Sequence, residues 1–84
     1  MTQLALEYEP SHAVLPKVGT QHRMLLDAFY RKEKLTVLMA LQRYDIMALS
    51  QRCGELKRMG WPIRSELIET TTGKHVACYW IDFQ

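Results

Sequence analysis

Hydrophobic positions along this chain change period twice, and the changes divide it into helices followed by strands. Met24, Leu25, Ala28 and Phe29 recur at helical spacing, while Arg23, Asp27, Arg31 and Lys32 fall on the opposite side. Thr20 precedes that stripe, and its hydroxyl can accept from an unpaired first-turn N–H, so a helix is expected from this cap to about Lys32. Leu35 and Thr36 read as a short extended link, with Thr36 capping a second helix over residues 37–43. That helix is expected to present Leu38, Ala40 and Leu41 inward, the small Ala40 allowing the next helix to approach closely. Tyr44, Asp45 and Ile46 form a turn. Asp45 tolerates left-handed geometry and can also cap a third helix. Ile46, Leu49, Cys53 and Leu56 mark the buried face of that helix, over about residues 47–59. Ser50, Gln51, Gly54, Lys57 and Arg58 are left on its other faces. Gly60 ends it, as glycine does where the chain turns left-handed after a helix.

The period then shortens to that of strands. IRSELIE and HVACYWI are rich in β-formers and flank a polar turn, TTTGK, in which Gly73 can take a positive φ. This predicts a hairpin with a threonine-rich tip carrying Lys74. Ile63, Tyr79 and Ile81 are its core choices, with Trp61 closing the corner, although Val76, Cys78 and Trp80 make the other face of the last strand apolar too. Residues 1–19 hold Pro10, Pro16 and Gly19 and read as mostly irregular. Within them Leu4, Leu6 and Tyr8 alternate with Ala5, Glu7 and Glu9, as in a half-buried strand lying on this domain or on a second copy of it. The division is an N-terminal arm, residues 1–19, and one α+β domain, residues 20–84.

Composition narrows the function classes. At 84 residues, 48% hydrophobic and 24% charged, the chain suits one small globular core. No apolar run approaches the roughly 20 residues that span a bilayer, and MTQLALEYEP lacks a basic-then-apolar leader pattern, so a cytoplasmic location is expected. Cys53 and Cys78 fall inside regular elements and read as buried free thiols. The net charge of +2 is unevenly spread: residues 20–60 carry eight bases against four acids, while each flanking segment is net acidic by one. A positive excess confined to the helical part is the footprint expected for a phosphate backbone, although solvated helix faces carry such charges too.

Three helices and a hairpin, the segment DIMALSQRCGELKRMGWPI and the ending YWI resemble the small winged helix-turn-helix DNA-binding proteins of bacteriophages and prophages. The matching positions are Ile46, Arg52, Leu56 and the run Gly60-Trp61-Pro62-Ile63, and the likeness covers roughly residues 20–81. It departs where Asp45 holds a turn position often taken by glycine, and where Gly54 interrupts the third helix. The resemblance implies a three-helix, two-strand winged fold that places the third helix in the major groove of duplex DNA. Met47, Ala48, Ser50 and Gln51 would then meet base edges, Gln51 being the residue best suited to pair with adenine. Lys57 and Arg58 would meet phosphates, as would Gln21, His22 and Arg23 at the start of the first helix. Thr71, Thr72 and Lys74 would bring the wing, residues 70–75, to the backbone or minor groove. Arg52 is open between a phosphate and an acid such as Glu55 or Asp45. A transcriptional regulator is the expected role, with an excisionase-like or replication accessory factor as alternatives. A single module buries little surface, so binding as a dimer or in tandem copies is expected, with residues 1–19 as the candidate joint of a homodimer.

Other chemistries find little support. Cys53, Cys78, Ser11, His12, His22 and His75 form no motif that ties nucleophile to base, so no enzyme is expected, and no small-molecule substrate. His75 and Cys78, three apart on a strand, point to opposite faces, and no metal or cofactor is expected. The rival reading is a protein-docking module whose surface comprises Met47, Met59, Trp61 and Trp80.

Overall fold

A computed structural model describes residues 13–83. Helix α1 spans Gln21–Tyr30, the two-residue strand β1 Leu35–Thr36, helix α2 Val37–Tyr44 and helix α3 Leu49–Arg58, followed by strands β2, Ile63–Glu69, and β3, His75–Ile81. Among the described residues the fold is α+β, three helices packed on an antiparallel sheet of order β1-β3-β2. The strand-like stretch Leu4 to Glu9 lies outside the described residues. Residues 13–19 run irregularly onto the domain itself: Val14 N–H donates to the Met59 carbonyl at 2.8 Å, and Pro16 is buried.

Local chemistry sets most of the helix ends. Thr20 and Thr36 cap α1 and α2, their hydroxyls accepting from the N–H groups of Arg23 and Met39. Helix α1 stops at Tyr30, short of the expected Lys32, because Lys32 takes a left-handed φ of 66°. Its N–H returns to the Phe29 carbonyl and that of Glu33 to Ala28, the pairing that closes a helix around a left-handed residue. The same closure ends α3: Gly60, at φ 104°, donates to the Lys57 carbonyl and Trp61 to that of Leu56, with the Leu56 and Trp61 side chains both in the core. Asp45 is left-handed as expected, at φ 59°, and closes α2. It does not cap α3, which starts two residues later than expected, at Leu49. Ala48 holds the cap position there and offers no side-chain acceptor.

Leu25, Leu26, Phe29, Leu35, Ile46, Leu49, Leu56 and Trp61 make the centre of the core. Three expectations shift. In α1 the buried stripe includes Leu26, and Met24 is half exposed, because α1 packs against both α3 and the sheet and so buries a wide face. In α2 only Ala40 is buried; Met39 and Tyr44 pack beside it, whereas Leu38 is 60% exposed and Leu41 is exposed as well. The small residue decides that orientation, since it lets α2 lie close to its neighbours. Finally, the link at Leu35–Thr36 is a strand, pairing Leu35 with Tyr79 and Thr36 with Cys78. This makes β3 central, which is why both its faces are apolar. Tyr79 and Ile81 share the face of Leu35 and Ile63, while Cys78 is buried on the other and Lys34 lies 4.8 Å over the Trp80 ring.

Candidate nucleic-acid interface

The orientation of α3 follows from its spacing. Leu49, Cys53 and Leu56 turn into the core, and burial pushes the Cys53 thiol up to about 12, so it is neutral and unreactive at physiological pH. At about 100° per residue, the ridge opposite that stripe is formed by Gln51, Gly54, Glu55 and Arg58, continued by Met47 in the preceding turn. Ser50 and Lys57 lie on one flank of this ridge, Ala48 and Arg52 on the other. Ser50, Gln51, Lys57 and Arg58 are exposed, and Met47 is 76% exposed. A helix is 10–12 Å across with side chains, close to the width of the major groove.

The charged and amide side chains named for this surface divide into two groups. Lys57, Arg58 and Lys74 form no ion pair with any described residue, and the two on α3 occupy its last turn, where cations also favour the negative end of the helix dipole. Arg52, Gln21, His22, Gln51 and Arg23, by contrast, are engaged within the protein. Arg52 Nη1 donates to Glu55 Oε1 at 2.6 Å and Arg52 Nε to Gln21 Oε1 at 3.2 Å. His22 Nε2 donates to the same Glu55 oxygen at 2.5 Å, and Gln51 Nε2 reaches Glu55 Oε2 at 3.5 Å. Arg23 is held by Asp27 and by the Pro16 carbonyl at 3.1 Å. The start of α1 is thus laced to the outer side of α3. His22 and Arg52 together hold the Glu55 carboxyl well below its ordinary range, at about 2, so it is anionic at neutral pH.

Glu55 is only partly signalled by the sequence. Its spacing of three and four residues from Arg52 and Gln51 is a legible helical pairing. Its third partner, His22, is 33 positions away and carries no sequence signal. Gly54, beside it, is not needed for packing: a Cβ there would meet only the Arg58 guanidinium, at an ordinary 3.8 Å.

The wing projects past the core, every residue of β2 after Ile63 being exposed. Its tip is a defined turn: Gly73 N–H donates to the Thr70 carbonyl, Thr70 N–H to that of Lys74, and the Thr70 and Thr72 hydroxyls meet at 3.0 Å. Gly73 takes φ 87°, and Thr71, Thr72 and Lys74 point to solvent. Of the residues considered for protein docking, Trp61 is buried, Met59 packs on the core, Trp80 lies under Lys34, and Met47 alone is freely exposed. A different apolar feature occurs between α2 and the wing, a groove of about 350 Å³ lined by Val37, Leu38, Ile68 and Val76.

A family model described as a winged helix-turn-helix domain matches residues 20–82. The chain belongs to that family. No curated protein and no solved structure matches it significantly. The winged helix-turn-helix assignment makes α2, the Asp45 turn and α3 the helix-turn-helix proper, and the β2–β3 hairpin the wing. Membership suggests DNA binding, and in helix-turn-helix proteins the second helix of the motif enters the major groove, which makes the outer ridge of α3 the candidate interface. Among the described residues, no helix is long and apolar enough to cross a membrane.

Proposed function

We propose that this winged helix-turn-helix protein binds duplex DNA sequence-specifically, with the outer ridge of α3 in the major groove and residues 70–75 of the wing against the neighbouring backbone or minor groove. The observation that carries the reading is the sorting of side chains: the apolar residues of α3 are buried, its ridge carries Gln51, Glu55 and Arg58, and Lys57, Arg58 and Lys74 lie exposed without ion-pair partners among the described residues. In this arrangement Gln51 reads a base, Ser50 contributes weakly from its flank, and Met47 and Ala48 make apolar contact at the groove margin. Lys57, Arg58, Lys74, Thr71 and Thr72 fix register on phosphates, and Gln21, His22 and Arg23 bring the start of α1 to the backbone. The role is that of a small transcriptional regulator of the phage and prophage kind, a step that rests on the resemblance of residues 45–63. An excisionase-like or replication accessory factor would use the same contacts. One module buries only about 600–1,000 Å², so two copies are expected per operator.

Selection of duplexes from a random pool by the purified protein tests this reading. Gln51→Ala is expected to relax preference at one position by about 1–3 kcal/mol, whereas Lys74→Ala weakens every duplex alike. A uniform loss from Gln51→Ala would place the reading face elsewhere. Gly54→Ala supplies a second check through opposite signs. The protein should gain about 1 kcal/mol in thermal unfolding. Its DNA affinity should fall if the helix backbone meets the duplex closely there, and an unchanged affinity would argue against that contact.

The groove beside Leu38 favours a second reading, in which a protein partner covers it. Salt-insensitive capture of a protein, with no binding to duplex DNA at low salt, would select that reading.

A further inference from the structure

A carboxylate on the outer half of a DNA-facing helix is electrostatically out of place, since it repels the polyanion that the helix must approach. Glu55 nevertheless stands on the α3 ridge, one turn from both Gln51 and Arg58. Its geometry offers a reason. Oε1 accepts from Arg52 at 2.6 Å and from His22 at 2.5 Å, while Oε2 accepts from Gln51 at 3.5 Å. Arg52 is fixed at a second point by Gln21 Oε1, 3.2 Å away. The side chains of Glu55, His22 and Arg52 are each about one quarter exposed (27%, 26% and 28%), so the cluster is open to a ligand on one side and seated on α1 on the other.

The chemistry of the acceptor matters most for Gln51. An ionised carboxylate only accepts, so the amide nitrogen of Gln51 must face Glu55 and its carbonyl must face away. That orientation leaves one N–H and the carbonyl oxygen for a base edge, the pair of groups needed to meet adenine N7 and N6 together. With the amide free to flip, half of its orientations would present the reverse pattern. Arg52 is similarly drawn sideways towards α1 instead of outwards to any phosphate it meets.

Resting on the DNA-binding reading above, we infer that Glu55 is the positioning residue of the α3 reading face, orienting the Gln51 amide and restraining Arg52. Glu55 thereby lowers affinity for all duplexes and raises discrimination among them. Its depressed pKa is consistent, because the positioning charge then persists throughout the neutral range.

The test compares two probes, a duplex selected by the wild-type protein from a random pool and a mixed-sequence duplex, each titrated at several salt concentrations. Glu55→Ala is expected to bind the mixed duplex several-fold more tightly at low salt, while the ratio of selected to mixed affinity falls about tenfold, within the range of one lost bidentate contact. Adding Gln51→Ala to Glu55→Ala should lower that ratio little further, because the two act as a unit. Glu55→Gln, whose amide oxygen still accepts, should raise mixed-duplex affinity similarly but retain part of the discrimination. The inference is overturned if Glu55→Ala and Glu55→Gln change both affinities by the same factor, if the Gln51 and Glu55 effects simply add, or if only the melting temperature moves. Absence of salt-dependent duplex binding by the wild-type protein is a separate result, which removes the DNA-binding reading itself.

Discussion

Trp61→Ala is expected to lower the free energy of unfolding by about 3–5 kcal/mol, the range found when a large aromatic is removed from a core. Trp61 is 1% exposed and joins three parts of the structure. Its ring meets Tyr30 of α1 edge-on, at 6.2 Å between centroids. Its backbone N–H helps close α3, and its indole N–H donates to the Val14 carbonyl at 2.9 Å, tying residues 13–19 to the helical corner. A domain of this size has about 5–15 kcal/mol of stability in all, so the variant should lose a fifth of it or more. Trp61→Phe keeps most of the ring and loses the indole bond, and should cost much less. Urea unfolding followed by circular dichroism checks both. A loss below about 1 kcal/mol in Trp61→Ala would mean that the corner is not the keystone these contacts imply.

The second large effect concerns binding. Removing Lys57, Arg58 and Lys74 together by alanine substitution is expected to leave the fold intact, since all three are exposed and form no ion pair among the described residues. If each neutralises one phosphate, the slope of log affinity against log salt falls by about 0.9 per contact, or about 2.7 for three. At about 0.15 M salt the same counterion term amounts to roughly a hundredfold in affinity, applied to all sequences alike. Fluorescence anisotropy at four salt concentrations measures both quantities. An unchanged slope would show that these cations do not lie on the duplex, however well placed they are on α3 and the wing. By contrast, Arg23 and Arg52 are already engaged by Asp27 and Glu55, and their substitution mixes structural loss with any loss of contact.

What was legible in the chain was local. Thr20, Thr36 and Gly60 announce helix ends because capping acts within three or four residues. The 3-4-3 spacing of Ile46, Leu49, Cys53 and Leu56 fixes the buried side of α3 without outside help, and with it the outward side of Gln51. What was not legible depends on distant partners. Leu35 and Thr36 are too short to show a period, and their strand character comes from Tyr79 and Cys78, more than forty positions later. That missing strand concealed the central place of β3. Leu38 and Leu41 outweigh Ala40 in hydrophobicity, yet close approach between elements favoured the small side chain and turned the larger ones outward. Asp45 had two local uses, and the left-handed turn took precedence over capping α3. For the site, helical spacing revealed the Arg52–Glu55 pairing, whereas the His22 contact arises only when α1 and α3 pack.

The most direct test of DNA binding through α3 is to record backbone amide shifts of the protein, residue by residue, as duplex DNA is added at low salt. The predicted result is a change concentrated at Met47, Gln51, Gly54, Glu55 and Arg58 and at Thr71 to Lys74 of the wing, reversed by raising the salt. Shifts confined to Val37, Leu38, Ile68 and Val76, with α3 silent, would contradict it, as would no response to the duplex at all.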